Sequence, residues 1–158
     1  MPRVPDPLDA LLTFQQDLLN GHIRLREGEL DPELYVHAGE AGGAPRFTYV
    51  RLIGLMVKAY AVMDMAEPKE DLPCFEASVA IPAAYRGQGL AKGIVADAMA
   101  ELKNGLARNN APAVYVEAIV GAGNEAAKHV AAAALSKTPV AVTDSATGLP
   151  ALQYVRKL

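Results

Sequence analysis

The sequence predicts an α/β fold in which a mixed central β-sheet carries helices on both faces. Three observations carry that expectation. An apolar run at residues 74–81 feeds a glycine turn, Tyr85-Arg86-Gly87-Gln88-Gly89. Behind the turn Leu90, Ile94, Ala98, Leu102 and Leu106 recur at helical spacing, with Val95 and Met99 beside them, as in a helix that packs one stripe on a sheet. Strand-like runs stand on both sides of this strand-turn-helix unit.

Taken in order, residues 1–5 read as a disordered tail. Asp6-Pro7 supplies an N-cap followed by proline at the first helical position, and Leu8, Leu11, Leu12, Leu18 and Leu19 make an amphipathic helix that Asn20-Gly21 stops. Residues 23–29 are charged and fit helix or loop. Residues 34–37 are strand-like, and residues 39–45 are dense enough in turn formers to be a connection. Residues 46–52 and 55–63, with a bend at Gly54, read as an antiparallel hairpin. Residues 66–73 are polar and proline-bounded, hence a loop before the strand at 74–81.

The helix after the glycine turn should run to about Asn109. Residues 114–120 form a β-branched strand broken by Gly121-Ala122-Gly123, and Asn124 is the N-cap of an alanine-rich helix from Glu125 to about Leu135, with Pro139 as its stop. Residues 140–143 and 152–155 read as a final strand pair around the turn region 144–150.

At 158 residues the chain is expected to form a single domain over 1–158. Hydrophobic residues make up 51% and charged residues 21%, which excludes the disordered class. No apolar run reaches the length of a membrane span and no signal pattern precedes Asp6 and Asp9, so the expected location is cytoplasmic and no membrane partner is expected. The net charge of −3, without a basic block, argues against nucleic acid as a partner. Cys74 is the only cysteine, so it reads as a small core residue, and His22, His37 and His129 are too scattered for a metal site.

The glycine turn has the layout of an anion site. The first amides of a helix have no carbonyl partner, and the helix dipole adds about half a positive charge there. A phosphate is held without special side chains. Gly87 and Gly89 let a ligand approach the backbone closely, and Arg86 and Lys92 add positive charge.

Two nucleotide families share such a turn. Gly87-x-Gly89-x-x-x-Gly93, with Glu117 ending the next apolar run, resembles a Rossmann fingerprint. Against it, five residues separate the strand from its first glycine, and the 41 residues after Glu117 cannot supply the further parallel units. Arg86-x-x-Gly89-x-Ala91, entered through Ile81-Pro82-Ala83-Ala84-Tyr85, resembles instead the acyl-CoA pyrophosphate motif of the GCN5-related N-acetyltransferase (GNAT) superfamily. The resemblance is strongest over residues 74–135 and only topological before that. It implies a GNAT-like sheet, acetyl-CoA as cosubstrate and an amine as acceptor, with a homodimer a common arrangement.

By that resemblance, backbone groups of Val79, Ala80 and Ile81 hold the pantetheine arm, and Arg86, Gly87, Gln88, Gly89, Leu90, Ala91 and Lys92 hold the pyrophosphate. Asn124 resembles the asparagine that begins the next helix and bonds the pantetheine, although it lies seven residues after Glu117 where five is typical of the N-terminal acetyltransferases. It reads equally as a plain cap.

An alkylammonium of pKa about 10.4 must lose its proton before attack, at a cost of about 4–5 kcal/mol at pH 7, so a general base is useful. Glu117 resembles the strand glutamate of ribosomal-protein N-terminal acetyltransferases and stands first. Glu76 lies near where histone-type members carry theirs. Either acid on a strand could instead face solvent or pair with a lysine. Where the family often has a tyrosine as general acid, this chain has Ala131, which leaves Tyr154, Tyr115, His129 or water to protonate the thiolate. The expected function is an acyl-CoA-dependent N-acetyltransferase. The alternatives are a CoA-binding module that has lost catalysis with the tyrosine and, less in keeping with the spacing, a Rossmann-type nucleotide binder.

Overall fold

The computed structural model describes residues 7–158, so the expectations for the tail at 1–5 and for an Asp6 cap lie outside the described residues. Among the described residues eight strands form one sheet: β1 (Arg26–Glu27), β2 (Tyr35–Ala41), β3 (Ala44–Ile53), β4 (Met56–Lys69), β5 (Leu72–Ala80), β6 (Tyr115–Gly121), β7 (Val140–Thr143) and β8 (Pro150–Lys157). Their spatial order is β1-β2-β3-β4-β5-β6-β8-β7. All neighbours are antiparallel except β5 and β6, which are joined through the helix α2 (Leu90–Arg108). One parallel pair is incompatible with a Rossmann sheet, which is parallel throughout its nucleotide-binding half.

Side chains alternate between the faces of a strand, and the two cores follow that alternation. Val50, Tyr60, Val62 and Ala80 point to one face and are covered by Leu11, Phe14 and Leu18 of α1 (Pro7–Leu19). Their neighbours Tyr49, Ala61 and Met63, with Phe75 and Val116, point to the other and meet Ile94, Val95, Ala98, Met99 and Leu102 of α2. On that second face Ala131 of α3 (Glu125–Ala134) packs on Ala118, Val120 and Tyr154. Helices therefore cover both faces, and the stripe read from the α2 sequence is the stripe that is buried. No helix among the described residues is long and apolar enough to cross a membrane.

Two expected loops are hairpins. Within residues 39–45 only Gly42 and Gly43 turn, with φ of +59° and +82°, and Gly39 and Pro45 lie in paired strands. Within residues 66–73 only Glu70 and Asp71 turn, with φ of +51° and +62°. A two-residue hairpin with both central φ positive matches the twist of its strands, so few residues need to leave the ladder. Pro68 is tolerated because it falls at the register shift between Ala66 and Lys69, where pairing is already interrupted. Residues 23–29 contribute the short strand β1, and α3 ends at Ala134, before Pro139 is reached.

The segment before β2 is tied to α2. Glu101, 8% exposed, accepts the backbone N–H groups of Glu29, Leu30 and Asp31 at 3.1, 2.7 and 3.0 Å. Arg51 bridges Asp31 and Asp97, each at 2.7 Å, and Arg108 meets Glu29 at 2.5 Å.

Candidate active site

β5 and β6 pair over three rungs, Cys74 with Tyr115, Phe75 with Val116 and Glu76 with Glu117, and then part. Beyond that rung β5 stays on β4 as far as Ala80, and β6 stays on β8 as far as Gly121. The sheet opens as a V whose vertex is the Glu76–Glu117 rung. Alternate residues of β5 beyond Glu76 turn N–H and C=O groups into the gap, because a strand directs its polar backbone to both sides and one neighbour has left. The gap holds a cavity of about 260 Å³ lined by Glu76, Ser78, Val79, Ala118, Val120 and Asn124, among others. A larger cleft of about 940 Å³ adjoins it at the glycine turn, with Val79, Asn124, Ala127 and Val130 lining both.

Residues 83–85 make one 3-10 turn, Arg86 is extended, and Gly87 and Gly89 take φ of +79° and +74°, with Gly89 as the N-cap of α2. A Cβ at either glycine would meet nothing within 4 Å, so the left-handed backbone, and not crowding, is what demands glycine there. Gly93 N–H reaches the Gly89 carbonyl at 3.4 Å, while the amides of residues 87–92 have no acceptor among the described residues. Arg86 donates Nε–H to the Ile81 carbonyl at 3.0 Å, which braces the turn against the end of β5. Every residue expected to hold the carrier lines the larger cleft except Gln88: Val79, Ala80, Ile81, Arg86, Gly87, Gly89, Leu90, Ala91, Lys92 and Asn124. His129 lines it too, from α3.

Asn124 caps α3 by accepting Ala127 N–H at 3.1 Å, and its own N–H reaches the Gly121 carbonyl at 2.9 Å. It is at once a cap and a wall of both cavities. Gly121 is the last residue of β6, and Ala122-Gly123 make the tight connection to Asn124.

The two carboxylates at the vertex have different surroundings. Phe75 and Val116 point into the core under α2, so Glu76 and Glu117 point to the opposite face. Glu117, its side chain 10% exposed, accepts from Gln153 Nε2 at 2.8 Å and pairs with Lys69 Nζ at 3.1 Å, both on Oε2. Glu76 is half-buried, lines the cavity and has no hydrogen-bond or ion-pair partner among the described residues. Burial, followed by the charges of Glu117, Asp64 and Asp144, pushes its carboxyl above the ordinary range. Asp64, its partner on β4, is held by Arg46 at 2.5 and 3.0 Å.

Tyr154 lies elsewhere. It is 3% exposed beneath α3, against Ala118, Val120 and Ala131, on the face opposite the carboxylates, and it lines neither cavity. Ala131, at the position where a tyrosine is common in the family, is buried against it. Tyr115 donates to Glu70 at the strand's outer end. Cys74 is fully buried and free, its thiol pushed up to about 11 chiefly by burial, as suits a core residue. Nothing in the sequence marks Lys69 or Gln153 as part of the site. Lys69 sat in an expected loop, and only the strand register brings either one to Glu117.

No protein-family model and no curated protein matches the sequence. Solved structures do. The chain is similar to a ribosomal-protein-alanine N-acetyltransferase from Brucella melitensis, with 21% identity over 73% of this chain and 70% of that one and a TM-score of 0.51. It is similar to an acetyltransferase of the GNAT family from Streptococcus pneumoniae, with 10% identity over 72% and 66% and a TM-score of 0.53. A ribosomal L7/L12 α-N-protein acetyltransferase in complex with coenzyme A matches with 13% identity over 70% of this chain and 61% of that one, at a TM-score of 0.52. The match to the second and third thus spans less than two thirds of their length. With its single parallel strand pair opening into a V beside a glycine-capped helix, the chain has the fold of the GCN5-related N-acetyltransferases.

Proposed function

We propose that the protein is an acyl-CoA-dependent N-acyltransferase, with acetyl-CoA as cosubstrate and an amine as acceptor. The observation that carries this reading is the run of unpartnered amides at residues 87–92, beside the larger cleft that adjoins the gap between β5 and β6. Those amides and Arg86 fit a diphosphate, and the backbone of residues 79–81 with Asn124 fits an extended amide-bearing arm. The bound thioester supplies an activated acyl group.

Glu76 is the proposed base. It faces the cavity, and its raised carboxyl narrows the gap to an ammonium, which makes proton transfer easier. The ammonium gives its proton to the Glu76 carboxylate, and the amine lone pair forms the C–N bond as the C–S bond breaks. The thiolate leaves with the bonding electrons and is protonated through solvent, which also takes the second proton from the acylated nitrogen, a tolerable course for a thiol of pKa about 8.5. Tyr154 as the acid would need its hydroxyl to reach the gap from beneath α3, so water is preferred.

The second reading, a CoA-binding module without catalysis, is favoured by one observation, Ala131 packed where an acid is common. Two measurements separate the readings. Titration with acetyl-CoA should raise the melting midpoint by mass action, and R86A should weaken binding about fivefold or more. Thiol release across a panel of amines should follow, and E76Q should lower it about a hundredfold. Stabilisation without thiol release from any amine supports the binding module. No stabilisation by acetyl-CoA overturns both.

A further inference from the structure

The last rung of the parallel pair sets two carboxylates directly opposite each other, an arrangement that is unfavourable when both are charged. The chain treats them unequally. Glu117 receives two donors on one oxygen, Lys69 Nζ at 3.1 Å and Gln153 Nε2 at 2.8 Å, from strands on either side of the rung. Glu76 receives none and lines the cavity. Lys69 comes from the end of β4, beyond the register shift after Ala66, and crosses the β5 strand to reach its partner. An ammonium, one-third exposed and drawn inward to a 10% exposed carboxylate, is more than a solvated surface charge.

We propose that Lys69 and Gln153 are positioning residues: they hold Glu117 as an ion-paired neighbour and so leave Glu76 as the single carboxylate that exchanges a proton with the cavity. The inference rests on the transferase reading for its catalytic consequence, but the clamp itself concerns the free protein. Without Lys69 the two carboxylates become a coupled dyad that shares a proton, and the titration belongs to the pair rather than to Glu76. The charged groups facing Glu76 are Asp64 from β4, held by Arg46 of β3, Glu117 with Lys69, and Asp144 from the turn before β8. No charged side chain of α1, α2 or α3 lines the cavity with it.

The test is a ¹³C NMR titration of the Glu76 carboxyl in the full chain, with no substrate present. The unsubstituted chain and K69R should each give one single-proton curve. K69M should give a broadened or two-step curve, and K69M with E117Q should return to a single step. A K69M curve that superimposes on the unsubstituted one, or a double variant that stays broadened, overturns the proposal. Should K69M fold poorly, Q153L gives the same comparison through the other donor. In the assay, K69M should lower kcat/KM about tenfold and broaden the acid limb of its pH profile, with recovery in K69M/E117Q. If E76Q keeps full rate while the NMR curves behave as stated, the assignment of the base fails and the clamp stands.

Discussion

Replacement of Glu101 by leucine should destabilise the chain by about 3–4 kcal/mol, well below the plain sum of its bonds. The carboxylate accepts three backbone N–H groups, those of Glu29, Leu30 and Asp31, at 2.7–3.1 Å, and it is 8% exposed. Hydrogen bonds to a charged group contribute about 1.5–3 kcal/mol each, and the three donors are only partly buried, so water recovers some of the loss. Leucine and glutamate have similar helix propensity, so α2 itself should persist. For a chain of this size the expected fall in Tm is about 10 °C, from roughly 2–4 °C per kcal/mol. E101Q should lose about half as much. Its oxygen can stay at the Oε1 position and keep Leu30 and Asp31, but its NH₂ then faces the Glu29 N–H. Urea unfolding read by circular dichroism gives the difference, with the slope m checking that the unfolded state is unchanged. Because Glu101 stands about 16 Å along α2 from Leu90, at 1.5 Å per residue, acetyl-CoA affinity of the folded variant should stay within twofold. A loss under 1 kcal/mol for E101L would refute the reasoning, for it would mean that the three amides find water as readily as the carboxylate.

Three further outcomes follow from the structure. G28A places a Cβ 2.5 Å from the Asp31 carbonyl oxygen and 2.7 Å from Glu101 Oε1, so chemical denaturation should show a loss of about 2–3 kcal/mol, and a near-neutral result would contradict the packing of this turn. Glu76 binds its proton more tightly in the folded chain than in the unfolded one. Stability should therefore fall as pH rises from the ordinary carboxyl range through its raised value. E76Q should remove that part of the fall and be the more stable protein at pH 7, whereas parallel stability curves for the two proteins from pH 4 to 8 would show that Glu76 is not perturbed. N124A removes the α3 cap and should cost about 1 kcal/mol in thermal unfolding. If Asn124 also holds the carrier, acetyl-CoA binding should weaken by more than that loss of stability explains.

What was legible in the sequence was what is decided locally. The glycine turn, the α2 stripe and the Asn124 cap depend on side chains within one or two turns of one another, and all three stand as read. Turn density misled at residues 39–45 and 66–73, because a hairpin needs only two residues of suitable φ and the rest can stay in the ladder. The candidate site divides the same way. Amides 89–92 are free because a helix starts there, which the glycine turn and the stripe behind it announce in the sequence. That Glu76 and Glu117 share one rung, that Lys69 and Gln153 attend only the second, and that Tyr154 faces away beneath α3 depend on the register of β4, β5, β6 and β8. A shift of one residue in any of those pairings would turn each side chain to the other face, and that choice is made by the two packed cores and not by the strands' own residues.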